Sequence, residues 1–205
     1  PVLVADRVVS RLFAKDHTLW GEAAEAESAK RLSWTGLPRT SRHLVGEVAA
    51  LRDELAATGF DRVVLCGMGG SSLAPEVLAT AFAEIDDWLK VRVCDSTDPA
   101  AVAAALRGLD PKKTLVIVAS KSGTTTETLS FAAYAAEWIG AAEGGTENAL
   151  SSMIAISDPS PCIDGIPGNE KMLDRFLNPA DIGGRYSALS FVGLVPASLL
   201  GIDLD

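Results

Sequence analysis

Four short, mostly apolar runs limit what this chain can fold into: Arg62–Cys66 (RVVLC), Val91–Cys94 (VRVC), Thr114–Ala119 (TLVIVA) and Met153–Ile156 (MIAI). Runs this short and this continuously apolar read as strands covered on both faces, which is what a parallel sheet flanked by helices requires. Helical patterns fill the gaps, at Leu73–Phe82, after Asp98-Pro99, and over Thr124–Ile139. Asp98 followed by Pro99 is a strong helix start, because the carboxylate accepts from free N–H groups and proline has no N–H to lose at the first helical position. Arg175–Leu177 is a candidate fifth short strand, and Tyr186–Leu200 reads as a closing apolar helix. The predicted fold class is therefore doubly wound α/β.

Upstream, Leu44, Val45, Val48, Leu51 and Leu55 mark an amphipathic helix that starts near Arg42 and ends at Gly59. Before it, Leu3, Val4, Val8 and Leu12 sit at helical spacing within Pro1–Ala14, and Gly21–Pro38 breaks into charged and turn-forming pieces around Trp34. The expected organisation is an N-terminal helical appendage over 1–41 and an α/β domain over 42–205.

With 205 residues, 48% hydrophobic and 22% charged, the chain has the composition of an ordinary folded domain with a sizeable core. A formal net charge of −9 argues against nucleic-acid and anionic-membrane partners, which need clustered Lys and Arg. The N-terminus carries no signal-type pattern and no run is long enough to span a bilayer, so a cytoplasmic location is expected. Cys66, Cys94 and Cys162 read as unpaired thiols, the first two inside apolar strands, and with only His17 and His43 available a metal site has almost no support.

In an open parallel sheet, ligands bind beyond the carboxyl ends of the strands, where strand order reverses. Two loops there are built for anions. The first, Gly67-Met-Gly-Gly-Ser-Ser72, lets the backbone approach closely and leads into a helix N-terminus. The second, Ser120–Thr125 (SKSGTT), gathers hydroxyls, with Lys121 as the positive charge nearby. If the strand order is 2-1-3, the two loops face each other and share one anion pocket. Thr124-x-x-Glu127 also matches a capping box, so Thr124 is expected to cap the following helix and Glu127 to act as a capping carboxylate rather than a base. A solvated loop with an ordinary cap is the plain alternative. A nucleoside-triphosphate loop is disfavoured because no lysine follows Gly70. A dinucleotide site stays open, since Gly67-x-Gly69-x-x-Ser72 follows a strand and Asp95 ends the next one, although Ser72 replaces the third glycine.

Three stretches in order, GMGGSSLAPEV (67–77), SKSGTTTET (120–128) and IGGRYSALSFVGL (182–194), resemble the glucose-6-phosphate isomerase family, within its first sugar isomerase (SIS) domain. KDHTLWG and RLSWTG upstream are similar to the branch in which the isomerase is fused behind a transaldolase. The resemblance implies an α/β/α sandwich around a five-stranded parallel sheet that binds glucose 6-phosphate and fructose 6-phosphate without a cofactor. By that similarity Gly70 and Ser71 contact the phosphate region, and Ser120, Lys121, Ser122, Gly123, Thr124 and Thr125 surround the phosphate. Gly184 and Arg185 match the family's Gly-Gly-Arg, whose arginine helps stabilise an enediolate. Where the family commonly has Thr-Phe, this chain has Ser122-Gly123, and the glycine is expected to loosen the loop. The family's glutamate base, with its assisting histidine and lysine, has no match here, which implies a missing second isomerase domain and a fragment that binds rather than catalyses. A homodimer stays open, as does a non-catalytic sugar-phosphate sensor.

Overall fold

The computed structural model describes residues 2–83, 85 and 88–204. Short helices α1 (Val2–Ala5), α2 (Val8–Phe13), α3 (Glu22–Ser28) and α4 (Leu37–Thr40) lead into α5 (Arg42–Leu55). The single N-terminal helix expected over Pro1–Ala14 is broken by Arg7, whose φ of 51° is left-handed. On its apolar face Leu3 and Val4 are exposed, and only Val8 and Leu12 are half-buried. The α/β region follows as β1 (Arg62–Gly67), α6 (Gly70–Ala81), β2 (Lys90–Cys94), α7 (Pro99–Leu106), β3 (Thr114–Ala119), α8 (Thr126–Glu143), α9 (Thr146–Ala149), β4 (Met153–Ser157), β5 (Asp174–Leu177) and α10 (Phe191–Leu199).

The five strands are all parallel, in the order β2-β1-β3-β4-β5. Alternate side chains of each central strand enter two separate cores. Val63, Leu65, Leu115 and Ile117 pack with α5 and α10 on one face, while Val64, Cys66, Val116 and Val118 pack with α8 on the other. This double coverage is why the central strands are apolar at successive positions rather than at every second one. Helix α10 is buried along its whole length, and the Ser198 hydroxyl donates to the Val48 carbonyl of α5 at 3.2 Å. Asp98 caps α7 as expected, accepting from Ala100 and Ala101 N–H at 2.9 and 3.0 Å.

The closing helix begins at Phe191 rather than at Tyr186. Residues 184–186 form a single 3-10 turn, the Ser187 hydroxyl donates to the Gly184 carbonyl at 2.6 Å, and the Ser190 hydroxyl donates to the Ser187 carbonyl at 2.7 Å. Serine side chains that satisfy nearby carbonyls offer the backbone an alternative to the helix, and here that alternative holds until Ser190, which is extended. Gly184 and Arg185 therefore sit on a short turn separated from α10 by residues 187–190.

Candidate functional site

Strands β1 and β3 are neighbours in register up to Gly67 opposite Ala119, so the loops that follow them leave the sheet side by side at its carboxyl edge. In the first loop a Cβ on Gly67 would lie 2.9 Å from the Ser71 carbonyl oxygen, which shows how closely α6 turns back on the strand end. Ser71 and Ser72 N–H groups donate to the Met68 and Gly69 carbonyls at 3.1 Å. Those two helix-end donors are thus already used. The Ser71 hydroxyl remains without a protein partner among the described residues, and the residue is buried.

In the second loop four hydroxyls converge. Ser120 Oγ donates to Thr125 Oγ1 at 3.2 Å, Ser122 Oγ lies 3.4 Å from Thr125 Oγ1, and Thr124 Oγ1 donates to Ser122 Oγ at 3.0 Å. The capping box does not form. Helix α8 begins at Thr126 with Thr125 at the cap position, no side chain caps it, and the Thr124 hydroxyl is engaged with Ser122 instead. An 18-residue helix therefore presents an uncapped N-terminus behind the hydroxyl cluster, with free N–H groups and the positive end of its dipole.

Gly123 does not loosen this loop. It is buried at a φ of +66°, and a Cβ there would overlap the backbone carbonyl of Cys162. The 162–165 turn lies directly against it, so only glycine allows both the left-handed backbone and the close approach. The smaller residue tightens the packing of the loop.

Lys121 also differs from expectation. Its ammonium pairs with the Asp158 carboxylate and donates to the Ala180 carbonyl at 3.1 Å, so its charge is committed to the ends of β4 and β5 rather than to the hydroxyl cluster. Ser71, Lys121, Asp158, Asn178, Gly184 and Ser187 line one small cavity, which brings three of the expected residues together. Asp158 and Asn178 were not anticipated. Each is buried with a side-chain oxygen lacking a partner, and each stands just after a strand, the position where ligand-facing residues collect. Arg185 is exposed one residue beyond Gly184, has no ion-pair partner among the described residues, and lines the adjoining apolar groove with Leu73 and Val77 of α6.

Burial pushes the Asp158 carboxyl above the usual carboxylate range, and the hydrogen bond and charge of Lys121 pull it back. The folded protein therefore holds a proton on Asp158 more tightly than the unfolded chain does. This group's contribution to stability is greatest at low pH and is lost as pH rises through the raised value. Replacing Lys121 by methionine leaves the buried carboxylate alone. Because the Lys121 side chain is 30% exposed, the expected loss is below the full value for a buried pair. It should be about 1–3 kcal/mol near neutral pH and shrink in acid as the carboxyl takes up its proton. Urea unfolding across that range checks this.

The thiols take no part. Burial pushes the thiols of Cys66 and Cys94 upward, and Cys66 donates to the Thr128 carbonyl at 3.3 Å. Among the described residues no group of three or more His, Cys, Asp and Glu side chains is placed to share a metal ion, and no helix is long and apolar enough to cross a membrane.

The phosphoglucose isomerase sequence model matches residues 50–204, more than half of the chain. The chain belongs to the phosphoglucose isomerase family. A glucose-6-phosphate isomerase of Thermus thermophilus is 37% identical over 183 residues, covering 89% of this chain and 42% of that protein. A chloroplastic glucose-6-phosphate isomerase of Arabidopsis thaliana is 37% identical over 147 residues, covering 71% of this chain and 24% of that protein. The chain thus spans less than half the length of these phosphoglucose isomerase relatives. Among solved structures, a hypothetical protein from Thermus thermophilus superposes with a TM-score of 0.80 at 34% identity, covering 98% of this chain and 45% of its own. A glucose-6-phosphate isomerase from Chlamydia trachomatis superposes at 0.67 with 25% identity, covering 93% of this chain and 35% of that one.

Proposed function

We propose that this domain is the sugar-phosphate-binding part of a glucose-6-phosphate isomerase, which interconverts glucose 6-phosphate and fructose 6-phosphate through a cis-enediolate. The observation that carries the reading is the cluster of Ser120, Ser122, Thr124 and Thr125 hydroxyls at an uncapped helix N-terminus, beside the unpartnered hydroxyl of Ser71. Phosphate oxygens accept from these hydroxyls and from first-turn N–H groups of α8, and the helix dipole favours their charge. The site has neutral donors at its centre, with Lys121 acting on the wall. Arg185, on the turn against Gly70, supplies positive charge where the enediolate develops. No residue of this chain matches the family's base, so the chain by itself binds the substrate and does not isomerise it. Residues 42–205 form the sugar isomerase domain and 1–41 an appendage. The upstream motifs support a transaldolase-fused branch.

A dinucleotide reading is less well supported, because Ser72, at the third glycine position, has both its N–H and its hydroxyl tied to the Gly69 carbonyl, and the hydroxyl cluster has no role in that reading. The test is calorimetric titration with glucose 6-phosphate. Ser122→Ala and Thr125→Val should each weaken binding by about 1–3 kcal/mol, the scale of a hydrogen bond to a charged group. The fold should survive, and unchanged dissociation constants in both variants would remove these side chains from the site.

A further inference from the structure

The turn that carries Arg185 is three residues long, and it is held from two sides. On the inner side the Gly70 and Gly184 backbones touch, and the Ser187 hydroxyl reaches the Gly70 carbonyl at 3.4 Å. On the outer side stands a segment from the N-terminal appendage. Leu32 forms an antiparallel bridge with Ile182, Ser33 N–H donates to the Asp181 carbonyl at 3.1 Å, and Gly183 N–H donates to the Arg31 carbonyl at 3.4 Å. The Ser33 hydroxyl donates to the Asp181 carboxylate, and Lys15 Nζ reaches Ser33 Oγ at 2.5 Å. The indole of Trp34 stacks on the ring of Tyr186, with centroids 4.7 Å apart and planes 17° from parallel. All of these contributors lie before residue 50, where the family match begins.

We propose that residues 31–34 are a brace for the Arg185 turn, with Trp34 as a positioning residue that acts through Tyr186. A single 3-10 turn has little stability of its own, so the direction of Arg185 depends on what grips the residues on either side of it. Arg185 has no ion pair to fix it, which leaves the backbone as the means of aiming it. The stack lies at the residue immediately following Arg185. The functional part of the proposal rests on the reading that Arg185 faces the sugar, whereas the brace itself is independent of any ligand.

The two parts are separated by measuring hydrogen exchange on the ligand-free chain and then titrating with ligand. In Trp34→Ala, amides of residues 183–187 should exchange about fivefold faster, the scale of one aromatic stack, while β1 and β3 keep their protection and Trp34→Phe stays near the parent rate. Tyr186→Ala should give the same local rise, and the residue is 56% exposed, so the core is untouched. Unchanged exchange at 183–187, or a rise spread equally over β1 and β3, overturns the brace. In titrations, Trp34→Ala should weaken glucose 6-phosphate about threefold or more and leave inorganic phosphate within about twofold, with Trp34→Phe restoring the sugar phosphate. Equal weakening of both ligands, or of neither, overturns the positioning role. If the parent chain binds neither ligand, the sugar-phosphate reading fails and the positioning role with it, and exchange still decides the brace.

Discussion

Gly123→Ala should destabilise the protein by about 2–5 kcal/mol, adding the cost of a left-handed backbone for a residue with a Cβ to that of forcing an atom into a packed contact. The new Cβ would meet backbone, the Cys162 carbonyl, and no side-chain rotation can relieve it. The approach is close from both sides, because a Cβ on Gly165 would in turn lie 2.4 Å from the Gly123 carbonyl oxygen. The chain must therefore unfold more easily or shift the loop, and a shift moves Ser122 and Thr124, which flank the glycine. Urea unfolding measures the first effect and calorimetry with glucose 6-phosphate the second. An unchanged midpoint together with unchanged affinity would mean that the loop has room which the packing denies.

Gly70→Ala should act more on binding than on stability. A Cβ at Gly70 would lie 2.5 Å from the Gly184 oxygen and 2.8 Å from its Cα, so the start of α6 and the Arg185 turn must part. The overpacking costs about 1–3 kcal/mol, and displacement of the Ser71 hydroxyl together with Arg185 should weaken glucose 6-phosphate by about tenfold or more. Gly46 in α5 is the matched control, since nothing lies within 4 Å of its Cβ position. Alanine there should be neutral or stabilise by up to about 1 kcal/mol, with no change in affinity. Equal tolerance at both positions would show that the two loops do not need their close contact.

The central strands were legible because burial on both faces makes them apolar at successive positions, with turn signals on either side. Thr114–Ala119 was read to the residue, and β1 gained only Gly67. The apolar pattern leaves the strand order open; the sheet adopts β2-β1-β3, which places the two loops together. What sequence could not show was contact at a distance. Lys121 is turned by an aspartate 37 residues away, and the N-terminal segment meets its partner loop across 148 residues. Neither leaves a local signal. Gly123 invited the opposite conclusion because a glycine looks flexible until the carbonyl pressed against it is seen. The capping box failed for a different reason: in a run of three threonines, Thr124 to Thr126, the helix could start in more than one register. The hydroxyls of the loop settled on one another rather than on the helix end.

The central claim is that the phosphate of a 6-phosphosugar sits between Ser71 and the Ser120–Thr125 loop, and a crystal structure with glucose 6-phosphate bound tests it most directly. The expected result is a phosphate group at α8's N-terminus, with Ser71 Oγ and the hydroxyls of Ser122, Thr124 and Thr125 within about 2.5–3.2 Å of its oxygens. A phosphate bound elsewhere on the chain, with only water among these hydroxyls, would contradict it.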